Sequence, residues 1–510
     1  MRFDTLLING NILSMDHALN KYRWLAISDG KIAALGNRDD YPKEVHKVID
    51  LKNRTVLPGF IDSHTHGSLT GLSLSSVDLR EAASIDELLA MIKKKADHTG
   101  EGIAVIGTNM SAERLKENRL PTMLELDEAS SRHPILIHHV TMHGCVMNSA
   151  AYKISQLNTE MDGVGTYEDG TPNGIISDDT AYYTGVGNLM KSLSEDTIKS
   201  YIRMFTDSLP AVGVTTVHTL DGQDLPMDAP VWHRMQGNHP VHVVNYLETL
   251  DVQKAKSMGY PRVGGCIALD GSRVMKTMAL YEPYANSPGR GTLYYTDDTI
   301  YKFMSEAHAN DMQLSLHVGG ERAIDQFIFT LYRVEKEQGF KDLRHRPEHF
   351  SMPSDRAIEL AVELRLALPM QPSFTALWDD PKDSLYVKNL GFERALRMEP
   401  FAEIINKGGI ICGGSDSPIT PVNPLAGIHQ AVNDPNSFRT VGLTDAIKMF
   451  TVNGAWAAHE ENMKGTLEVG KLADLVVLDK DPYACQGKIN EIQIEMTFVE
   501  GKIVYEHRHN

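Results

Sequence analysis

Positive charge is scarce in this sequence. Its 510 residues carry 50 Lys and Arg against 67 Asp and Glu, a formal net charge of −17. Nucleic acids and anionic membrane surfaces call for the opposite balance, so neither is expected as a partner. Cysteine is scarce as well. Cys145, Cys266, Cys412 and Cys485 lie far apart and form no C-x-x-C pair, which argues against a disulfide framework and for a reducing, cytoplasmic setting. No apolar run is long enough to span a bilayer. The start, Met1-Arg2-Phe3-Asp4-Thr5, runs on to Asn9-Gly10 without the apolar stretch of a signal peptide. Internal repeats and low-complexity segments are missing too. What is present is an ordinary globular composition, 42% hydrophobic and 23% charged, long enough for one large domain and a smaller one.

The two ends match in style. Leu6-Leu7-Ile8 is followed by Asn9-Gly10, and Trp24-Leu25-Ala26-Ile27 by Asp29-Gly30; such dipeptides between apolar runs signal hairpins. Ala473 to Leu478, Thr497 to Val499 and Lys502 to Val504 repeat the pattern. One small β-sandwich domain built from residues 1–55 plus 465–510 is therefore expected. The middle, 56–464, alternates strand-like and helix-like segments, as parallel α/β folds do. Strands are expected near 56–62, 214–219, 241–247, 264–270, 313–318, 345–350, 366–371 and 410–416, with helices such as Asp298 to Asn310 and Ser354 to Leu364. Eight strand–helix units suggest a (β/α)8 TIM barrel. An open doubly wound sheet is the alternative, but no G-x-G-x-x-G follows an early strand. Residues 68–205 exceed any single βα connection and read as an insertion, placed to form a lid or a substrate wall.

Polar residues cluster at the ends of these strands, where a barrel keeps its active site. Leu57-Pro58-Gly59-Phe60-Ile61-Asp62-Ser63-His64-Thr65-His66 ends in His-x-His. On a strand, residues two apart point to one side, so both imidazoles can reach one point. Leu314-Ser315-Leu316-His317, Arg346-Pro347-Glu348-His349 and Ile410-Ile411-Cys412-Gly413-Gly414-Ser415-Asp416 end further strands. Any one of them alone reads as a capping or hydrogen-bonded residue; four together point to a shared divalent metal. His64, His66, His317 and His349 suit zinc, with oxygen or sulfur donors completing the shell. A divalent ion makes hydroxide available from water near neutral pH. Asp416 is then placed to touch the metal, take the proton of the attacking water and pass it to a leaving nitrogen.

The motifs P-G-F-I-D-S-H-T-H, L-H-V-G-G-E-R-A-I-D, R-P-E-H and G-G-S-D-S-P, in this order, resemble the amidohydrolase superfamily, and G-K-L-A-D-L-V-V-L-D resembles the usual ending of its small β-domain. The long insertion, Asp270-Gly271-Ser272 and the segment H-G-C-V-M-N-S-A-A are similar to its YtcJ-like branch, which includes N-substituted formamide deformylases. The resemblance covers essentially the whole chain. It implies a metal-dependent hydrolase with a distorted barrel, a small-molecule substrate, one or two ions and, at family level, a homodimer. In many members of the branch a carboxylated lysine stands four residues before the Asp of D-G-S and bridges two metals. Here that position is Cys266. Either its thiolate binds the metals in place of the carbamate, or it is a buried small hydrophobe and the site holds one metal. Lys276 lies beyond the strand and is a weaker substitute. Asp270 either orients a ligand or caps its loop. By the same resemblance His143 is a candidate for the scissile carbonyl, with Asn148 in the same segment. Arg322 is a candidate for a substrate carboxylate, and His218 is placed to support the ligands. His138, His139, His308 and His345 read as packing, surface or hydrogen-bonding residues, and Trp378, Phe374 and Tyr281 as pocket walls or core.

The function expected is hydrolysis of a C–N bond other than a linear peptide bond. Two rivals stand beside it. One is deamination of a cyclic amidine or nucleobase, with Glu321 four residues beyond His317. The other is a non-catalytic scaffold protein, whose mark would be lost ligands.

Overall fold

The computed structural model describes residues 3–38, 40–139, 144–177, 179–222, 228–379, 382 and 384–508. Eight parallel strands form its centre: β1 (Phe60–Thr65), β2 (Val214–Asp221), β3 (His242–Leu247), β4 (Arg262–Val263), β5 (Gln313–Val318), β6 (Arg346–His349), β7 (Ala367–Met370) and β8 (Ile410–Gly413). β1 to β6 make one sheet in chain order, and β7 pairs with β8. Main-chain hydrogen bonds bridge both joints. Ala367 N donates to His345 O (3.2 Å) beside β6, and Asp416 N donates to His64 O (2.8 Å) beside β1. The array is a TIM-like barrel rather than an open sheet. β1 and β2 are buried along their whole length, as strands covered on both faces must be. Their runs of Val, Ile, Thr and Phe favour that environment.

The helices follow the same logic. α1 (Asp297–Ala309) starts at Thr296, whose side chain accepts from Thr299 N, so one otherwise unpaired helical N–H is satisfied. α2 (Glu321–Gln338) buries Ala323, Ile324, Phe327, Ile328, Leu331 and Val334, a stripe at helical spacing that faces the core. Truncating Phe327 to Ala would cost about 3–5 kcal/mol by opening a cavity there.

Two strands depart from expectation. The stretch expected as one strand over 56–62 is two. Thr55–Pro58 pairs antiparallel with Leu475–Leu478 in another sheet, and the chain then enters β1. The fourth strand, expected over 264–270, ends at Val263. Gly264 and Gly265 follow with φ of +97° and +58°, a conformation that ends strand geometry. A Cβ on Gly265 would stand 2.3 Å from Glu248 Cγ. Among the described residues one isolated bridge, Ala268 to His317, continues the pairing.

Strands from both termini share a sheet. Its order runs 502–506, 494–499, 475–478, 55–58, 11–13, 21–22, while a second sheet joins 31–36, 24–28, 3–8 and 45–50. Leu7, Leu25 and Ile27 of one sheet and Val56, Val477 and Phe498 of the other lie in one buried core.

The chain divides into two compact units, Met1–Gly67 with Thr206–Gln223 and Gln236–Asn510, and Ser68–Phe205 with Asp224–Met235. The second holds its own six-stranded sheet, built from 77–78, 105–110, 135–139, 145–147, 164–166 and 172–176. Its strands are apolar on both faces. Ile106, Leu136 and Met147 pack with Tyr182 and Tyr201, and the alternate residues Val105, Ile137 and Val146 pack with Leu88, Ile92 and Leu126. Among the described residues no helix is long and apolar enough to cross a membrane.

Candidate active site

The strand-end residues meet at the C-terminal rim of the barrel. His64 Nε2 lies 3.1 Å and His66 Nε2 3.2 Å from the same oxygen, Asp416 Oδ1. Cys266 Sγ lies 3.8 Å from both His64 Nε2 and His349 Nε2. The His317 ring stands 4.6 Å, centroid to centroid, from that of His349. One ligand atom each from His64, His66 and Asp416, and one each from His64, Cys266 and His349, fall within 4.8 Å of one another. Cys266 reaches this group from the loop after β4, not from a strand end.

Local backbone geometry serves the convergence. His349 and Asp416 have φ of +71° and +55°. Side chains other than glycine avoid this region, and such strain persists where the surroundings impose it. At Gly414 a Cβ would stand 2.7 Å from His64 Cβ, so the close approach of the β8 end to β1 admits only glycine.

The outer nitrogens of two of the rings are held as well. His64 Nδ1 is 2.6 Å from Glu348 Oε2, and His349 Nδ1 is 2.8 Å from Gln371 Oε1. An acceptor at Nδ1 keeps the proton of a neutral imidazole there and leaves Nε2 a lone pair. The donor set therefore fits a divalent metal: lone pairs of two rings, a carboxylate and a thiol face one another. Burial opposes ionisation of Cys266, but His64 and His349 hold its thiol well below the usual range. Burial likewise opposes ionisation of Asp416, and the neighbouring His64 and His66 hold its carboxyl well below the usual range.

The remaining candidates separate. Asp270 is fully buried and accepts from Gly319 N (2.9 Å), Gly320 N (2.8 Å) and Ala279 N (2.8 Å), which ties three loop amides together; its Oδ1 also lies 3.4 Å from His317 Nδ1. His218 sits below the rim, where Arg346 donates to its Nδ1 at 3.0 Å. Burial and that guanidinium hold its pKa well below the ordinary histidine value. Arg322 is not brought to this group: it lines a cleft with Tyr281, Asp297 and Tyr301. Tyr281 gives its hydroxyl to Asp325 there (2.8 Å). Phe374 does join the site, stacked on His349 at 6.1 Å and 16°, with Trp378 edge-on behind it. His143 lies outside the described residues. Asn148 accepts from Ile135 N and Ala151 N and donates to Ser130 O and His133 O, so its amide is committed to its own fold.

Sequence reasoning missed Glu348, Gln371, Asp62 and Glu248. Glu348 and Asp62 stood inside the motifs already singled out, Glu348 directly before His349 and Asp62 two residues before His64. Asp62 accepts from His64 N (3.2 Å) and Ser415 N (3.0 Å), and burial raises its pKa to about 6. Glu248 accepts from Cys266 N (3.1 Å), a contact with no local signature.

A second group, His308, Glu335 and His345, also brings ligand atoms within 4.8 Å of one another. Here Leu314 N donates to His345 Nδ1 (3.1 Å), which leaves the ring proton on Nε2. A cation would meet an N–H where it needs a lone pair.

A profile of the amidohydrolase family matches residues 47–505. The putative amidohydrolase YtcJ of Bacillus subtilis is 27% identical over 94% of this chain and 95% of its own length. N-substituted formamide deformylase of Arthrobacter pascens is 24% identical over 99% of this chain and 98% of its own. Among solved structures, an uncharacterized metal-dependent hydrolase from Pyrococcus furiosus superposes with a TM-score of 0.80 at 26% identity, covering 94% of this chain and 99% of that one.

Proposed function

The chain belongs to the amidohydrolase family, and from that premise we propose that it hydrolyses a non-peptide, amide-type C–N bond of a small molecule at a divalent metal centre. One observation carries this reading: His64 and His66 converge on Asp416 Oδ1, at 3.1 and 3.2 Å, with the His64 tautomer set by Glu348. His64, His66, Cys266, His317, His349 and Asp416 would hold one or two ions, zinc being the best match to imidazole and sulfur donors. The bound metal supplies Lewis acidity that makes water nucleophilic near neutral pH. Asp416, ionised and in contact with two ligand rings, takes the proton of the attacking water and returns it to the leaving nitrogen. Asp270 steadies His317, and Phe374 walls the site beside His349. His143 remains our candidate for the scissile carbonyl; Arg322, which lines a separate cleft, is not assigned to the substrate at the rim.

We assign residues 1–55 plus 465–510 to a small β-sandwich domain and 56–464 to the catalytic barrel with its 68–205 insertion. The mixed terminal sheet supports joining the two termini, and it takes in residues 55–58, which moves the boundary with the barrel to Gly59. Free cysteines support a reducing, cytoplasmic setting.

Deamination is the second reading, and Glu321 was its mark. That carboxylate accepts from Tyr281 N (3.0 Å) and lines a cleft with Met352, Asp355 and Arg397, apart from the rim group. Metal content per chain, followed by a panel of N-formyl, N-acyl and nucleobase compounds, tests the proposal. Amine and carboxylate release from the first two is expected. Ammonia release from nucleobases alone would overturn it, as would purified protein that binds no zinc, manganese or cobalt and hydrolyses nothing.

A further inference from the structure

Directly beneath the rim lies a buried ionic network that joins four strands. Glu348 on β6 places Oε2 2.6 Å from His64 Nδ1 on β1. Its Oε1 accepts from Arg346 Nε (2.7 Å) and from Ser315 Oγ on β5 (2.5 Å). Arg346 in turn donates to Oε2 (3.1 Å), to Ser63 O (2.6 Å) and to His218 Nδ1 on β2 (3.0 Å). His64, Ser315, Arg346, Glu348 and His218 are all fully shielded from solvent.

A buried charge pair is a weak source of stability, because desolvation consumes most of its attraction. Arg346 could be balanced by any carboxylate, yet this one is turned so that one oxygen meets a ligand ring. Three of the four ligand rings, those of His64, His317 and His349, are not treated alike at their outer nitrogens. The outer nitrogen of His349 meets the neutral amide oxygen of Gln371 (2.8 Å). That of His317 is 3.4 Å from Asp270, a carboxylate already engaged by three backbone amides. His64 alone of these three has a carboxylate at short hydrogen-bond distance. Such a partner fixes the tautomer and makes the far nitrogen a stronger donor.

We propose that Glu348 is a positioning residue that sets the metal affinity of this centre through His64, with Arg346 and Ser315 as the clamp that aims it. The proposal rests on the metal-centre reading above. The position requires Glu rather than Gln. An amide can turn its NH2 towards Nδ1, which would put the imidazole proton on Nε2, where the metal binds.

The test is zinc affinity, measured on chelator-stripped full-length protein by competition with a chromophoric chelator, together with the visible spectrum of the cobalt(II) form. Glu348→Gln is expected to bind zinc about 10–100-fold more weakly and to shift the cobalt bands. Because that variant strands Arg346, the double variant Arg346→Met/Glu348→Gln removes both charges together, and the same weakening is expected. A merely structural role would lower the melting temperature of the stripped protein and leave affinity and spectrum unchanged; that result in the double variant overturns the proposal. His64→Ala separates the two ideas. If wild type binds zinc and His64→Ala does not, while the Glu348 variants bind as wild type, the metal centre stands and the role of Glu348 falls. If wild type binds neither zinc nor cobalt, both fall.

Discussion

Among its described residues the barrel brings together two groups of histidines and carboxylates, one at each end of β6. His349 closes the strand at the rim. His345 precedes it, about 13 Å away along four extended residues. Each group places three potential ligand atoms within 4.8 Å of one another. The difference lies at one ring: His308 Nε2 faces Gly339 O (3.0 Å), which leaves its Nδ1 a lone pair as at the rim, whereas His345 is held the opposite way. At the rim, Glu348 and Gln371 accept from His64 and His349, and lone pairs face inward. At the other end a backbone N–H occupies His345 Nδ1, and an N–H faces inward. Proximity of histidines and acids is common to both, and hydrogen bonds on the outer nitrogens decide which can take a cation.

That comparison can be broken at either end. The largest effect is expected for Asp416→Asn: turnover falls about 10²–10⁴-fold, while metal analysis finds wild-type content. Near-normal turnover would remove its proton-transfer role. Next comes Cys266→Ser, which should lower the zinc content of purified protein, from two ions to one or none. Unchanged content would make Cys266 a packing residue and leave the rim to histidines and Asp416. Third, His308→Gln and His345→Gln should each cost about 1–3 kcal/mol in chemical denaturation, with zinc stoichiometry unaltered. Loss of a zinc ion from either would erase the contrast between the two ends.

The smallest effect concerns pH. Burial raises the Glu335 carboxyl to about 7 in the folded protein. A raised pKa means that the folded state holds the proton more tightly than the unfolded chain. Its contribution to stability is therefore complete below the usual carboxyl value, about 4.3, and is lost as pH rises through about 7. Glu335→Gln should remove this slope, so its melting temperature should gain on wild type between pH 5 and pH 8. His345, lowered to about 3 by burial, acts in the opposite sense: its contribution is present above about 6.5 and lost as pH falls below that. Parallel pH–stability curves for wild type and Glu335→Gln would show that the carboxyl titrates normally.

Much of the barrel could be read from residue order. β5, expected at 313–318, spans Gln313–Val318, and α1, expected at 298–310, spans Asp297–Ala309. Both have unbroken apolar periodicity and clear ends. β4 was not legible, because Gly264 and Gly265 interrupt an apolar run that otherwise resembles a strand. The split at Gly59 was hidden for a related reason. Residues 55–58 and 60–65 are equally apolar, and only their partners assign them to different sheets.

The sequence by itself determined the rim. His64, His66, His317 and Asp416 each follow an apolar strand run and His349 ends the strand Arg346–His349, and strand-end placement in a parallel barrel is a local property that brings them to one face. Tertiary structure alone decided what stands behind them. Glu348 against His64, Gln371 against His349, Glu248 under Cys266 and the backbone amide on His345 are contacts between segments far apart in sequence. A hydrogen bond selects a tautomer only when its partner arrives at about 3 Å, and no linear spacing encodes that arrival.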